Sequence, residues 1–127
     1  MSDPLRIALA DDQALVRTGL KALLGGIAGL QVTLEAGDGE DLLAKLPQTP
    51  VDVILSDIRM PLCDGFQLAK RLRGKGDATP VLLMTTFDEP DLVLRAVECG
   101  AQGFLLKDAS PEDLHEAITA LAQGKTL

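Results

Sequence analysis

Short aliphatic runs alternate with longer stretches of helical period from one end of this chain to the other, and few folds accept that pattern. Leu5–Ala10, Gln31–Ala36, Val51–Ser56, Pro80–Met84 and Gly103–Leu106 read as strands. Between them, Leu15, Gly19, Leu20, Leu23 and Leu24 form a helical stripe that ends at Gly25-Gly26, glycine being an expected helix stop. Further helices are expected over Glu40–Leu46, closed by Pro47, over Gly65–Arg73, and over Asp91–Cys99 with Pro90 in a tolerated first-turn position. A last one runs to about Ala122 behind a capping-box pattern, with Ser110 as the cap, Pro111 after it and Asp113 three residues on. The third strand is almost continuously aliphatic, as a central parallel strand buried on both faces should be. Strands that alternate with helices connect by right-handed crossovers, so the expected fold is an α/β doubly wound parallel sheet covered on both faces. Ligands of such sheets bind at the carboxyl ends of the strands, near the point where the strand order reverses.

At 127 residues the chain fits one domain with a single sizeable core. It has no Trp or Tyr and only three Phe, so aromatic stacking cannot be the basis of ligand binding. A net charge of −7 opposes contact with a nucleic-acid backbone or an anionic lipid surface. Cys63 and Cys99 are far apart, without a CxxC or a nearby His, and read as reduced thiols rather than a zinc site or a disulfide. Met1-Ser2-Asp3-Pro4 opens no targeting signal, and no apolar run approaches the ~18 residues of a membrane span. The expected location is therefore the cytoplasm.

Polar residues follow the apolar runs at four of the strand ends: Asp11-Asp12, Asp57, Thr85-Thr86 and Lys107. They are distant in sequence, but this fold brings them together. Each alone has a bland reading, such as a solvated turn, a loop hydroxyl or a surface lysine; their co-occurrence is what argues for chemistry. Two carboxylates ~4 Å apart at an effective dielectric near 20 repel by about 4 kcal/mol, and a cation offsets that cost. A donor set made only of oxygens points to a hard ion, and few carboxylates with room for water and phosphate oxygens suit Mg2+. Lys107 and the Thr85 hydroxyl can contact the same group. Phosphoryl transfer onto one carboxylate needs little more than such positioning and charge neutralisation.

These residues carry a resemblance to response-regulator receiver domains over essentially the full length. The matching pieces are Ala10-Asp11-Asp12, Ser56-Asp57-Ile58-Arg59-Met60-Pro61 with Asp64-Gly65, Met84-Thr85-Thr86, and Gly103-Phe104-Leu105-Leu106-Lys107. The resemblance implies a flavodoxin-like (βα)5 sheet of order 2-1-3-4-5, with Asp57 as phosphoacceptor. It implies Mg2+ held by Asp11, Asp12, Asp57 and the backbone carbonyl of Arg59, with Thr85 and Lys107 on the phosphoryl group. Thr85 and Phe104 would form the switch, and a sensor histidine kinase would supply the phosphoryl group. The run through Asp108 and the ending Gly124-Lys125-Thr126-Leu127 are closest to receivers that precede a helix-turn-helix DNA-binding domain. Residues 1–123 would then be the receiver and 124–127 the start of a linker or a C-terminal tail, with a possible homodimer and DNA contact only through a further domain.

The chain departs from the family pattern at Asp108, where many members have a proline, and the isomer of the Lys107–Asp108 peptide is left open. Arg59 beside the phosphoacceptor could alter phosphate lifetime. Other readings are an unphosphorylated interaction module, a stand-alone receiver acting on a protein target, an aspartate-nucleophile phosphatase and a flavin carrier. The phosphatase lacks its second acid, because Ile58-Arg59 follow Asp57, and no turnover of an outside substrate is expected. An acidic first loop repels a flavin phosphate. Gly37-Asp38-Gly39 lacks the third glycine of a nucleotide loop, and His115 sits among Glu112, Asp113 and Glu116 on a solvated face.

Overall fold

The computed structural model describes residues 3–86 and 90–125. The N-terminal Met1-Ser2 and the last two residues of the expected linker, Thr126 and Leu127, lie outside the described residues. The elements run β1 (Leu5–Ala10), α1 (Ala14–Gly25), β2 (Leu30–Ala36), α2 (Gly39–Lys45), β3 (Val53–Asp57), α3 (Gly65–Gly74), β4 (Val81–Thr85), α4 (Pro90–Glu98), β5 (Gly103–Leu106) and α5 (Pro111–Ala122). All strand pairs are parallel, in the order β2-β1-β3-β4-β5, so the expected doubly wound sheet is present. The chain steps from β1 to β2 on one side and returns to place β3 on the other. The crevice between the carboxyl ends of β1 and β3 is therefore the switch point.

Strand alternation divides the core into two layers. Ala8, Ala10, Ile54, Val81 and Leu83 pack beneath α2, α3 and α4 with Leu42, Leu68 and Leu72. Ile7, Leu9, Val53, Leu55, Leu82 and Met84 face the other way, onto Leu24 of α1 and Leu114, Ile118 and Leu121 of α5. Each fully buried Leu or Ile stabilises the fold by roughly 1.5–3 kcal/mol relative to exposure.

Local expectations are met in part. The α1 stripe is only partly a core face: Leu24 is buried and Leu20 half-buried, whereas Gly19 is exposed, Leu15 is 86% exposed and Leu23 37% exposed. Gly26 caps the end of α1 as expected, in a right-handed conformation (φ −84°), and the nearby left-handed glycine is Gly29 (φ 88°), just before β2. Pro47 does not merely stop α2, which ends at Lys45; it lies inside a 3-10 turn, Leu46–Gln48. Both cysteines are free thiols. The Ser110–Asp113 capping box is formed at α5, and α3 has a second one between Asp64 and Gln67.

Three features away from the crevice shape the molecule. The pairing of β1 with edge strand β2 slips between Ile7 and Ala8, whose partners are Val32 and Leu34, leaving Thr33 as a bulge. Arg73 of α3 pins the far end of the sheet, donating to the carbonyls of Asp77 (2.7 Å), Thr79 (2.9 Å) and Gly100 (3.0 Å) and to Gln102 Oε1 (2.6 Å). Leu62, in the loop from β3 to α3, has φ 66° and is 80% exposed. That left-handed conformation costs a Cβ-bearing residue roughly 1–2 kcal/mol.

Candidate functional site

Asp11 is the first residue past β1 and is held at every polar atom. Its N–H donates to the Ala36 carbonyl (3.1 Å), extending the β1–β2 pairing by one step. Its Oδ1 accepts from Gln13 N–H (2.9 Å), which turns the chain into α1, and its carbonyl accepts from Arg17 Nη1 (2.6 Å). The side chain is 1% exposed. Asp12, the next residue, is exposed.

Asp57 closes β3, and its side chain is 11% exposed. Ser56 Oγ donates to its carbonyl (2.9 Å), and Ile58 N–H donates to the Met84 carbonyl (3.1 Å), so the strand end is fixed on both sides. Gly65 is required at the start of α3, because a Cβ there would lie 2.6 Å from the Asp57 carbonyl oxygen and 2.9 Å from Leu83 Cδ2. The helix can approach the phosphoacceptor candidate this closely only without a side chain.

Lys107 reaches the crevice from the other half of the sheet. Its N–H donates to the Thr85 carbonyl (2.8 Å), carrying the β4–β5 pairing one residue beyond β5. Its Nζ lies 3.0 Å from Asp57 Oδ2 and 3.2 Å from Asp11 Oδ2. Thr85 is buried at the end of β4, while Thr86 is exposed. Phe104 pairs with Leu83 two positions before Thr85 pairs with Leu106, so Phe104 and Thr85 share a face of the sheet as diagonal neighbours. Phe104 is half-buried against the layer under α2, α3 and α4. The Lys107–Asp108 peptide is trans.

Asp11, Asp12 and Asp57 each present a carboxylate oxygen within 4.8 Å of the other two. Three carboxylates and the Lys107 ammonium leave a formal charge of −3 + 1 = −2, which a divalent cation would balance. The oxygen-only donor set, open to solvent on the Asp12 side, fits Mg2+. Burial pushes the Asp57 carboxyl above its ordinary range, and the neighbouring Asp11 charge adds to this; Lys107 and the Arg59 backbone N–H only partly offset it. Burial alone would lower Lys107, but its hydrogen bonds to and the charges of Asp57 and Asp11 prevail, and its net shift is upward. The pair is thus asymmetric: Lys107 is held firmly as a cation, while Asp57 does not recover its desolvation cost.

Arg59 is exposed, at the rim of an open cavity of about 520 Å³ that adjoins Asp12 and is walled by Met60, Phe66 and Arg95. The Arg95 guanidinium lies 4.2 Å over the Phe66 ring. Gly37-Asp38-Gly39 proves to be a helix start: Asp38 caps α2 by accepting from Asp41 N–H (2.8 Å). His115 is exposed on α5. Arg17, Gln13 and Ser56 were not anticipated at the site. Arg17 and Ser56 donate to backbone carbonyls and Gln13 donates through its own backbone N–H, contacts for which the sequence carries no signal.

An acidic crevice at the switch point of this sheet, with a lysine reaching in from β5, defines the receiver class of two-component signalling proteins. Residues 7–119 match the response regulator receiver domain, and the chain belongs to that family. It is 43% identical over 125 residues to the uncharacterized transcriptional regulatory protein YxjL of Bacillus subtilis, covering 98% of this chain and 57% of YxjL. It is 42% identical over 120 residues to the transcriptional regulatory protein UhpA of Escherichia coli, covering 94% of this chain and 60% of UhpA. The chain therefore spans less than two thirds of these relatives. Among solved structures, the signal receiver domain of the Mycobacterium tuberculosis response regulator NarL superposes with a TM-score of 0.92 at 36% identity, covering 98% of this chain and 100% of that one. Proteins of this family signal rather than turn over substrates. No helix among the described residues is long and apolar enough to cross a membrane.

Proposed function

We propose that this receiver is controlled by phosphorylation of Asp57. The observation that carries the reading is the desolvated Asp57 carboxylate, 3.0 Å from the Lys107 ammonium and grouped with Asp11 and Asp12. An Asp57 oxygen attacks the phosphorus of a phosphohistidine on a sensor histidine kinase. The P–N bond breaks, the imidazole leaves, and an acyl phosphate remains on the protein. Asp11, Asp12, Asp57 and the Arg59 backbone carbonyl are the residues that would hold Mg2+, which supplies charge neutralisation for the phosphoryl oxygens. Lys107 and Thr85 bind those oxygens, Lys107 as a point charge and Thr85 through its hydroxyl. The acyl phosphate later hydrolyses slowly, and Arg59 at the cavity rim sets its lifetime by shielding or orienting water.

The switch is Thr85, drawn toward the phosphoryl group, with Phe104 filling the space it leaves on the same face of the sheet. This biases a two-state equilibrium at α4 and β5. Exposed apolar residues on α4 support that output surface: Val93 (45%), Leu94 (58%) and Val97 (68%). Residues 1–123 are the receiver and 124–127 begin a linker to a DNA-binding domain, so the output is transcription in the cytoplasm, with homodimerisation available. The greater length of the transcriptional relatives supports this part.

The test is incubation with Mg2+ and a small acyl phosphate. Wild type should gain the mass of one phosphoryl group and Asp57→Asn should not. No gain in either would leave the unphosphorylated interaction module as the better reading.

A further inference from the structure

Of the three clustered carboxylates, Asp11 is buried, Asp57 is half-buried, and both are gripped by Lys107, so their directions are set by packing and that grip. Asp12 is exposed, and its direction must come from the backbone. The peptide that joins Asp11 to Asp12 is held by Arg17, on the first turn of α1, whose Nη1 donates to the Asp11 carbonyl at 2.6 Å. Because a peptide unit is planar, fixing that oxygen also fixes the N–H and Cα of Asp12.

Arg17 is itself anchored. Its Nε lies 3.7 Å from Glu35 Oε1 on β2, and the other Glu35 oxygen pairs with Lys21 Nζ at 2.8 Å. Lys45 Nζ donates to the Glu35 backbone carbonyl (2.9 Å), so residues from α1 and α2 converge on one position of β2. The Glu35 charge offsets that of Arg17, which reduces its repulsion of a cation in the crevice. What Arg17 contributes there is geometry.

We infer that Arg17 is a positioning residue for the cation site, orienting the Asp11–Asp12 peptide so that Asp12 is presented to the ion. The inference rests on reading the acidic crevice as a Mg2+ site. Arg17 touches no reacting atom and acts through the Asp11 carbonyl alone. Groups that orient metal ligands from behind typically change affinity 10–100-fold when removed.

Titration calorimetry with Mg2+ alone, without a phosphodonor, tests this. Arg17→Lys keeps the charge but loses the planar fork, and Arg17→Gln loses both. Both should weaken Mg2+ binding, by about tenfold. A purely structural role would lower the melting temperature in EDTA and leave affinity unmoved. Relief of charge repulsion would leave Arg17→Lys unchanged and tighten Arg17→Gln; either pattern overturns the inference. If the Arg17 variants do not fold, Glu35→Gln loosens the anchor with Arg17 in place and should weaken binding severalfold, whereas wild-type affinity in it would overturn the inference. Wild type that takes up no Mg2+ would remove the cation reading, and this inference with it. Binding by wild type, its loss in Asp12→Asn and wild-type affinity in both Arg17 variants would remove this inference alone.

Discussion

Lys107 Nζ lies between two carboxylates, 3.0 Å from Asp57 Oδ2 and 3.2 Å from Asp11 Oδ2, on a side chain that is only 17% exposed. One ammonium thus holds two largely desolvated anions, Asp11 buried and Asp57 half-buried, that arrive from different strands. Replacing it with the similarly long Met leaves both carboxylates without their partner. Lys107→Met should cost about 3 kcal/mol in urea unfolding measured in EDTA. Saturating Mg2+ should recover a large part of that loss; a variant as stable as wild type in EDTA would show that the bridge contributes nothing.

Asp57 gives a pH dependence of definite sign. Its folded-state pKa is raised, chiefly by burial. The associated stability is fully present below the ordinary carboxylate pKa and is lost as pH rises through the folded value. At neutral pH without a cation, the ionised Asp57 therefore destabilises the fold. Asp57→Asn should melt at a higher temperature than wild type at pH 7 in EDTA, and the gap should shrink in Mg2+, which binds wild type more tightly.

Asp77 has the opposite sign. Hydrogen bonds from the Thr79 hydroxyl (2.6 Å) and the Thr79 N–H (2.9 Å) lower its pKa. Its stabilisation is present above the unfolded carboxylate pKa and is lost as pH falls through the folded value. Between neutral pH and about pH 3, Asp77→Asn should start less stable and lose less on acidification than wild type. Parallel stability curves for the two proteins would contradict this.

Leu62 holds a left-handed conformation while leaving 80% of its surface in water, so little packing compensates the strain. Asn enters that region more readily. Leu62→Asn should stabilise the protein by about 1 kcal/mol, read as a higher urea midpoint at constant slope.

The strands were legible because a parallel sheet demands near-continuous aliphatic runs such as Val53–Leu55, whereas their order followed only from the resemblance to receiver domains. The carboxylates and Lys107 were legible because they stand at predictable strand ends, which the fold brings together. Leu15 and Leu23 misled, since a stripe of leucines on one helix does not reveal whether anything covers it. Arg17 was invisible because its partner is a carbonyl, and any residue type could have supplied that oxygen. Leu62 was equally silent, since nothing in the side chain announces a positive φ.

The slip at Thr33 bears on how copies of this chain can meet. Growth of a sheet by strand addition, as in fibrils or exchanged edges, needs a flat rim of free N–H and C=O groups in regular spacing. One rim here is kinked by the bulge in β2, and the other, β5, is four residues long. Neither offers a continuous template, so any association between copies would avoid backbone pairing and fall to side chains of the outer helices. Such contacts can form and dissolve with a signal, whereas a fused sheet would be far harder to reverse.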